Sequence, residues 1–265
     1  MNLLFEGLGL SEELVLHLET LGFTEPTPIQ VQAIPHLLAG RDVVGQAQTG
    51  TGKTAAFSLP ILERIDIDVT AVQALVLTPT RELAMQVTEA IRELSGISGE
   101  GPVKVGRSLQ VLTVYGGQSI DRQMQRLKRG VHIVVGTPGR ILDMLSRGSL
   151  KLDKVKWLVL DEADEMLSMG FIQDVEKILD AAPQERQTAF FSATMEASIR
   201  KLVARHLRNP VNVTVEQPKA TPKRISQGVY MIPRGWSKAR ALQPILEMED
   251  PESALIFVRT RQSAA

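Results

Sequence analysis

Short apolar runs, each closed by a turn signal, alternate along most of the chain with segments of helical spacing. That alternation narrows the fold more than any other feature. The runs are "DVVG" (42–45), "ALVL" (74–77), "LQVLTVY" (109–115), "HIVVG" (132–136), "WLVL" (157–160) and "AFFS" (189–192). Near-continuous apolar runs of this length mark strands covered on both faces, as in a parallel sheet. Between them, "RELAMQVTEAIREL" (81–94) and "FIQDVEKILDAA" (171–182) carry the helical period, with Ile172, Val175, Ile178 and Leu179 on one stripe of the second. Strands alternating with helices predict a doubly wound α/β fold with a mostly parallel sheet.

Length and composition set the bounds. The 265 residues, 43% of them hydrophobic, suffice for one large domain, or for one domain and part of another. "SGISGEGPVKVGRS" (95–108) reads as an exposed Gly- and Ser-rich loop, and "EQPKATPKR" (216–224) as a linker. Beyond it, "ISQGVYMI" predicts a strand, "SKARALQPILEME" a helix and "ALIFV" a second strand. Met166 and Met169 are expected to fill core. Thirty basic residues balance thirty acidic ones, so bulk charge provides no general attraction to nucleic acid. One stretch, Gln217 to Leu246, lacks Asp and Glu but holds Lys219, Lys223, Arg224, Arg234, Lys238 and Arg240, which is either a solvated surface or a local contact. The absence of cysteine excludes disulfides and thiolate metal sites and fits a reducing cytoplasm. His17, His36, His132 and His206 have no metal-ligand spacing. No apolar stretch reaches the ~18 residues of a membrane span, so a soluble cytoplasmic protein is expected.

"AQTGTGKT", Ala47 to Thr54, lies between a strand and an apolar helix and matches the phosphate-binding pattern G-x-x-x-x-G-K-[ST] except for Ala47 in place of the first glycine. Gly50 and Gly52 let backbone N–H groups wrap phosphate oxygens, and the following helix adds its positive dipole end. Lys53 would reach the β and γ phosphates, and the Thr54 hydroxyl would hold Mg²⁺. "WLVLDEAD" puts Asp161 and Glu162 at the end of a buried strand. An acid there gives Mg²⁺ a second support and an adjacent glutamate can activate water, although acids after a strand also serve as ordinary helix caps. The loops after six successive strands carry "GQAQTGTGKT", "TPTRELA", "YGGQ", "GTPGR", "DEAD" and "SAT". In open parallel sheets ligands bind outside the carboxyl ends of the strands, so all of these stretches are expected on one edge.

In this order the motifs closely resemble those of the DEAD-box ATP-dependent RNA helicases. Phe5, "GFTEPTPIQ" (22–30), "AQTGTGKT", "PTRELA" (79–84), "GG" (116–117), "TPGR" (137–140), "DEAD" (161–164), "SAT" (192–194) and "LIFVRT" (255–260) carry the resemblance, which covers essentially the whole chain. It implies a RecA-like P-loop NTPase domain followed by an incomplete second RecA-like domain. The corresponding divisions are a Q-motif region at 1–35, the ATP-binding domain at 36–216, a linker at 217–225 and the start of the second domain at 226–265. It implies that Phe23 stacks on adenine, that Gln30 reads the adenine edge, and that Ala47, Gln48, Thr49, Gly50, Thr51, Gly52, Lys53 and Thr54 hold the nucleotide. Lys53, Asp161 and Glu162 would be catalytic, with Thr54 and Asp161 on Mg²⁺ partly through water. Pro79, Thr80, Arg81, Gly116, Gly117, Thr137, Pro138, Gly139 and Arg140 would contact RNA through its backbone, without reading sequence. The same residues could also simply cap helices and form turns. Ser192 and Thr194 would bond toward Asp164, coupling the nucleotide site to strand separation. In such enzymes a second domain supplies an arginine finger through motifs of the type "ARG-D" and "HR-GR-GR", neither of which occurs in these 265 residues. Leu255 to Val258 would then be an inner strand of that second sheet, with Arg259 and Arg261 at the edge of an RNA groove. The chain alone is therefore expected to bind ATP–Mg²⁺ but to turn over poorly. Two other readings stay open at this point, a non-catalytic RNA-binding fragment and a DNA-directed translocase of the same superfamily.

Overall fold

The computed structural model describes residues 5–96, 109–215, 226, 228–258 and 260. The loop expected at 95–108 lies outside these residues from position 97 onward, and so do the linker at 217–225 and Arg259 and Arg261. Contacts divide the chain into two units, Met1–Glu216 and Gln217–Ala265.

Among its described residues the first unit is built on seven strands: β1 (Val43–Gln46), β2 (Ala74–Leu77), β3 (Val111–Val114), β4 (Ile133–Gly136), β5 (Trp157–Leu160), β6 (Gln187–Ser192) and β7 (Val211–Thr214). They lie in the order β3-β4-β2-β5-β6-β1-β7, and every neighbouring pair is parallel. Among the described residues nine helices accompany them: α1 (Glu12–Thr20), α2 (Pro28–Leu38), α3 (Lys53–Arg64), α4 (Arg81–Leu94), α5 (Ile120–Lys128), α6 (Pro138–Ser146), α7 (Ala163–Ser168), α8 (Ile172–Ala181) and α9 (Ala197–His206). Both faces of the sheet are buried, as the apolar runs require. Leu75, Leu77, Val134, Leu158, Leu160 and Phe190 pack on one face, whereas Val43, Val76, Val135, Val159 and Phe191 pack on the other. A smaller cluster under α1 joins Phe5, Leu18, Ile34 and Leu59.

Six of the seven strands correspond to the apolar runs, and the helix expected at 81–94 forms over Arg81–Leu94. The stripe expected on α8 holds, with Val175, Ile178 and Leu179 buried and Ile172 packed against the same core. β7 had no counterpart in the sequence reading. It is an edge strand whose single neighbour among the described residues is β1, and Asn212 and Thr214 are exposed while only Val213 is buried, so no continuous apolar run marks it. Met166 is fully buried as expected, but Met169 is 47% exposed because it falls at the C-terminal cap of α7, past the inward-facing turn.

In the second unit the expected helix forms as α10 (Lys238–Glu249), capped by Ser237, whose hydroxyl accepts from the Arg240 N–H at 3.1 Å. Neither expected strand forms: 228–233 and 254–258 pair with no neighbour among the described residues. A strand leaves a row of backbone donors and acceptors that only another strand satisfies, and two apolar segments with one helix do not make a sheet.

Gly136 closes β4 immediately before the "TPGR" stretch, and a Cβ there would sit 2.3 Å from the Val114 carbonyl oxygen of β3. At Gly139 the nearest atom would be 4.0 Å away. Gly136→Ala is accordingly expected to cost about 1–3 kcal/mol, read as a lower urea midpoint, while Gly139→Ala leaves the midpoint within about 0.5 kcal/mol.

Candidate nucleotide site at the carboxyl edge of the sheet

Because all strands run the same way, the loops that follow them emerge on one edge. The phosphate-loop segment leaves β1 there, and its first residue stays tied to the sheet through Ala47 N–H donating to Ser192 O at 3.0 Å. Gln48, Thr49 and Gly50 are exposed on the turn, and the Thr51 hydroxyl closes it by donating to Gln48 O at 2.7 Å. Gly50 and Gly52 adopt φ of 77° and 90°, a region open to glycine at little cost. Gly52 is constrained twice over, since a Cβ would also lie 2.5 Å from Gln30 Nε2.

α3 begins at Lys53, with Thr54 half-buried beside it. Lys53 is 5% exposed, and its Nζ meets Glu162 Oε1 at 2.7 Å across a sequence gap of 109 residues. Glu162 has φ of 54°, a left-handed conformation that a non-glycine residue adopts at a cost of about 1–3 kcal/mol and that concentrates at functional sites. Asp161 is 2% exposed, and its Oδ1 has no hydrogen-bond partner among the described residues. Burial, reinforced by the Glu162 and Asp164 charges and opposed by Lys53, pushes the Asp161 carboxyl up from 3.8 to about 7. A buried carboxylate with an orphaned oxygen beside a phosphate loop fits a divalent cation, which would supply the missing partner.

Asp164 is bound instead. Burial drives its carboxyl up, but hydrogen bonds from Ser192 and Thr194 more than reverse this and hold it below the ordinary range. Its Oδ2 accepts from both Thr194 N, at 2.8 Å, and Thr194 Oγ1, at 2.9 Å, and its backbone N–H donates to Ser192 Oγ at 3.2 Å. The structure thus brings Asp164, Ser192 and Thr194 together as the resemblance implied.

Gln30 is 2% exposed, and its amide is already engaged. Oε1 accepts from Thr27 N at 2.9 Å and Nε2 donates to Gly52 O at 3.1 Å, which leaves one N–H and one lone pair for a base. Phe23 is half-buried and packs edge-on against Phe5, with ring centroids 6.2 Å apart.

The remaining expected residues line the same edge on neighbouring loops. Pro79 is buried, and the Thr80 hydroxyl caps α4 by accepting from Leu83 N at 3.2 Å. Thr137 and Pro138 start α6, with Pro138 in its first turn. Helix capping, the ordinary alternative for these residues, is therefore realised at Thr80. Arg81, Gly116, Gly117 and Gly139 are exposed and Arg140 is half-buried. Arg81 lies over the Tyr115 ring, 5.1 Å from its centroid, and Arg140 NH1 donates to Gln118 O at 3.2 Å. Within "YGGQ", sequence assigned a role only to Gly116 and Gly117 and singled out neither Tyr115 nor Gln118.

A parallel sheet carrying a phosphate loop and an acidic pair on its carboxyl edge defines a RecA-like P-loop α/β domain. The family model for the DEAD/DEAH box helicase matches residues 27–202. The RNA helicase CrhR of Synechocystis sp. is 59% identical over 261 residues, 98% of this chain and 51% of that protein. ATP-dependent RNA helicase DeaD of Escherichia coli is 50% identical over 259 residues, 98% of this chain and 40% of its own length. The crystal structure of a DEAD box protein from the hyperthermophile Methanococcus jannaschii superposes with a TM-score of 0.74 at 42% identity, over 80% of this chain and 56% of that one. The chain belongs to the DEAD/DEAH box helicase family, and it spans only about half or less of the length of these curated relatives.

The raised Asp161 pKa has a thermodynamic sign. The folded state holds this proton more tightly than the unfolded chain, so the contribution to stability is present below 3.8 and is lost as pH rises toward about 7. In chelated, metal-free buffer, Asp161→Asn removes that slope. Its melting temperature relative to the parent is expected to rise between about pH 5 and about pH 8, and a pH-independent difference would contradict the assignment.

Proposed function

We propose that this chain is the nucleotide-binding part of a DEAD-box ATP-dependent RNA helicase, in which ATP binding and hydrolysis are coupled to RNA binding and local duplex opening. The observation that carries the reading is the Lys53–Glu162 contact at 2.7 Å beside the unpartnered Oδ1 of Asp161, on the same edge as Arg81, Gly116, Gly117 and Arg140. Phosphate chemistry and polymer binding would then share one surface.

In this reading Ala47 to Thr54 wrap the phosphates, with Lys53 exchanging Glu162 for the β and γ oxygens. Released from Lys53, Glu162 is left to orient and deprotonate the attacking water. Thr54 and Asp161 would hold Mg²⁺, partly through water, and its charge would offset that of the phosphates. Phe23 offers its ring to adenine, and Gln30 offers its remaining N–H and lone pair, which distinguish ATP from other nucleotides. Pro79, Thr80, Arg81, Gly116, Gly117, Thr137, Pro138, Gly139 and Arg140 contact RNA phosphate and sugar, positioning the strand without reading its sequence. Asp164, Ser192 and Thr194 transmit the state of the nucleotide site.

The division into a Q-motif region (1–35), an ATP-binding domain (36–216), a linker (217–225) and the opening of a second RecA-like domain (226–265) belongs to the same proposal. Without an arginine finger, worth roughly 10³–10⁵ in rate, the chain alone binds ATP–Mg²⁺ and turns it over slowly. Among the described residues no helix is long and apolar enough to cross a membrane; a cytoplasmic setting is part of the proposal.

Lys53→Ala is expected to weaken ATP–Mg²⁺ binding by this chain roughly tenfold or more, through loss of charge-assisted bonds to phosphate, as read by calorimetry. In a whole protein carrying this chain it should abolish RNA-stimulated ATP hydrolysis. ATP hydrolysis indifferent to RNA, or intact in the variant, would overturn the reading.

A further inference from the structure

The geometry points to Tyr115 as the positioning residue that holds the Arg81 guanidinium ready for an RNA phosphate; the inference rests on the reading of Arg81 as a backbone contact. The ring is 6% exposed, whereas Arg81 is exposed, so a buried platform lies beneath a solvent-facing cation. It is fixed from two further directions. The Tyr115 hydroxyl donates to Met85 Sδ at 3.6 Å, one helical turn along α4 from Arg81, and Gln123 Nε2 donates to Tyr115 O at 3.1 Å. Gln123 is itself 4% exposed, so the carbonyl just before Gly116 is held from inside the domain.

An arginine on a surface helix ordinarily samples many rotamers, and its fork must be immobilised when it grips a phosphate. Stacking on an aromatic face restricts the guanidinium beforehand while leaving N–H groups free for bidentate contact. The same segment restrains the second cationic side chain, because Arg140 NH1 donates to Gln118 O at 3.2 Å. Residues 115–118 therefore brace both proposed phosphate contacts, and Tyr115 is the member that touches a charge through its side chain. A purely structural tyrosine would need neither the overlying cation nor the exposed turn directly after it.

The test compares Tyr115→Leu, Tyr115→Phe, Arg81→Ala and the Tyr115→Leu/Arg81→Ala pair in this chain. Binding of a fluorescent single-stranded oligouridylate is read by anisotropy, with ATP–Mg²⁺ affinity as the control. Tyr115→Leu is expected to weaken RNA binding roughly three- to tenfold, the range of a partly exposed cation–π contact, and Tyr115→Phe to stay within about twofold of the parent. ATP–Mg²⁺ affinity should not move, and Tyr115→Leu should add nothing once Arg81 is alanine. If Tyr115→Leu leaves RNA affinity unchanged, or weakens it equally with and without Arg81, the positioning role is wrong. If Arg81→Ala leaves RNA affinity unchanged, the backbone-contact reading of Arg81 fails and takes this inference with it. Should Tyr115→Leu disturb ATP–Mg²⁺ affinity, Tyr115→Met is read in its place against the same outcomes.

Discussion

The candidate site depends on one constraint, that every neighbouring strand pair in the seven-stranded sheet is parallel. Parallel strands need a crossover after each, and such crossovers take one hand, so each new loop returns to the same edge. Lys53 and Glu162 are 109 residues apart in sequence yet 2.7 Å apart in space because β1 and β5 end on the same side. A reversed strand would send its motif to the opposite edge, out of reach of every partner.

Electrostatics then differentiates three neighbouring carboxylates. Glu162 is neutralised by Lys53, Asp164 is bound by Thr194, and Asp161 is buried with an unpartnered oxygen. The strained backbone at Glu162 lets adjacent acids point to different partners, a cost that the surrounding helix start and strand sustain. With Lys53 satisfied by Glu162, phosphate binding as proposed would be an exchange of one anion for another. A buried lysine left unpaired would be far more expensive.

The sequence made the central strands and the phosphate loop legible because burial on both faces forces continuous apolar runs such as "WLVL", and because phosphate binding needs glycines at fixed offsets. It hid β7, whose edge position frees its side chains from that pattern. It overstated the strands expected at 225–232 and 254–258, whose described residues pair with no neighbour, since apolar composition alone does not provide one. The triad of Asp164, Ser192 and Thr194 came from resemblance, as a bare "SAT" carries no chemistry of its own. The Gln30 bond to Gly52 O and the platform beneath Arg81 had no signal in spacing, because both join segments distant in sequence, whereas the Thr27–Gln30 bond spans only three residues.

Hydrogen–deuterium exchange of this chain with and without Mg²⁺ and a non-hydrolysable ATP analogue tests the central claim most directly, since it reports where along the sheet the nucleotide acts. The account expects slowed exchange in the segments at the carboxyl edge, residues 27–30, 47–54, 161–164 and 192–194. Protection at the opposite ends of the strands, around Asp42 and Arg186, with none in the phosphate loop, would contradict it.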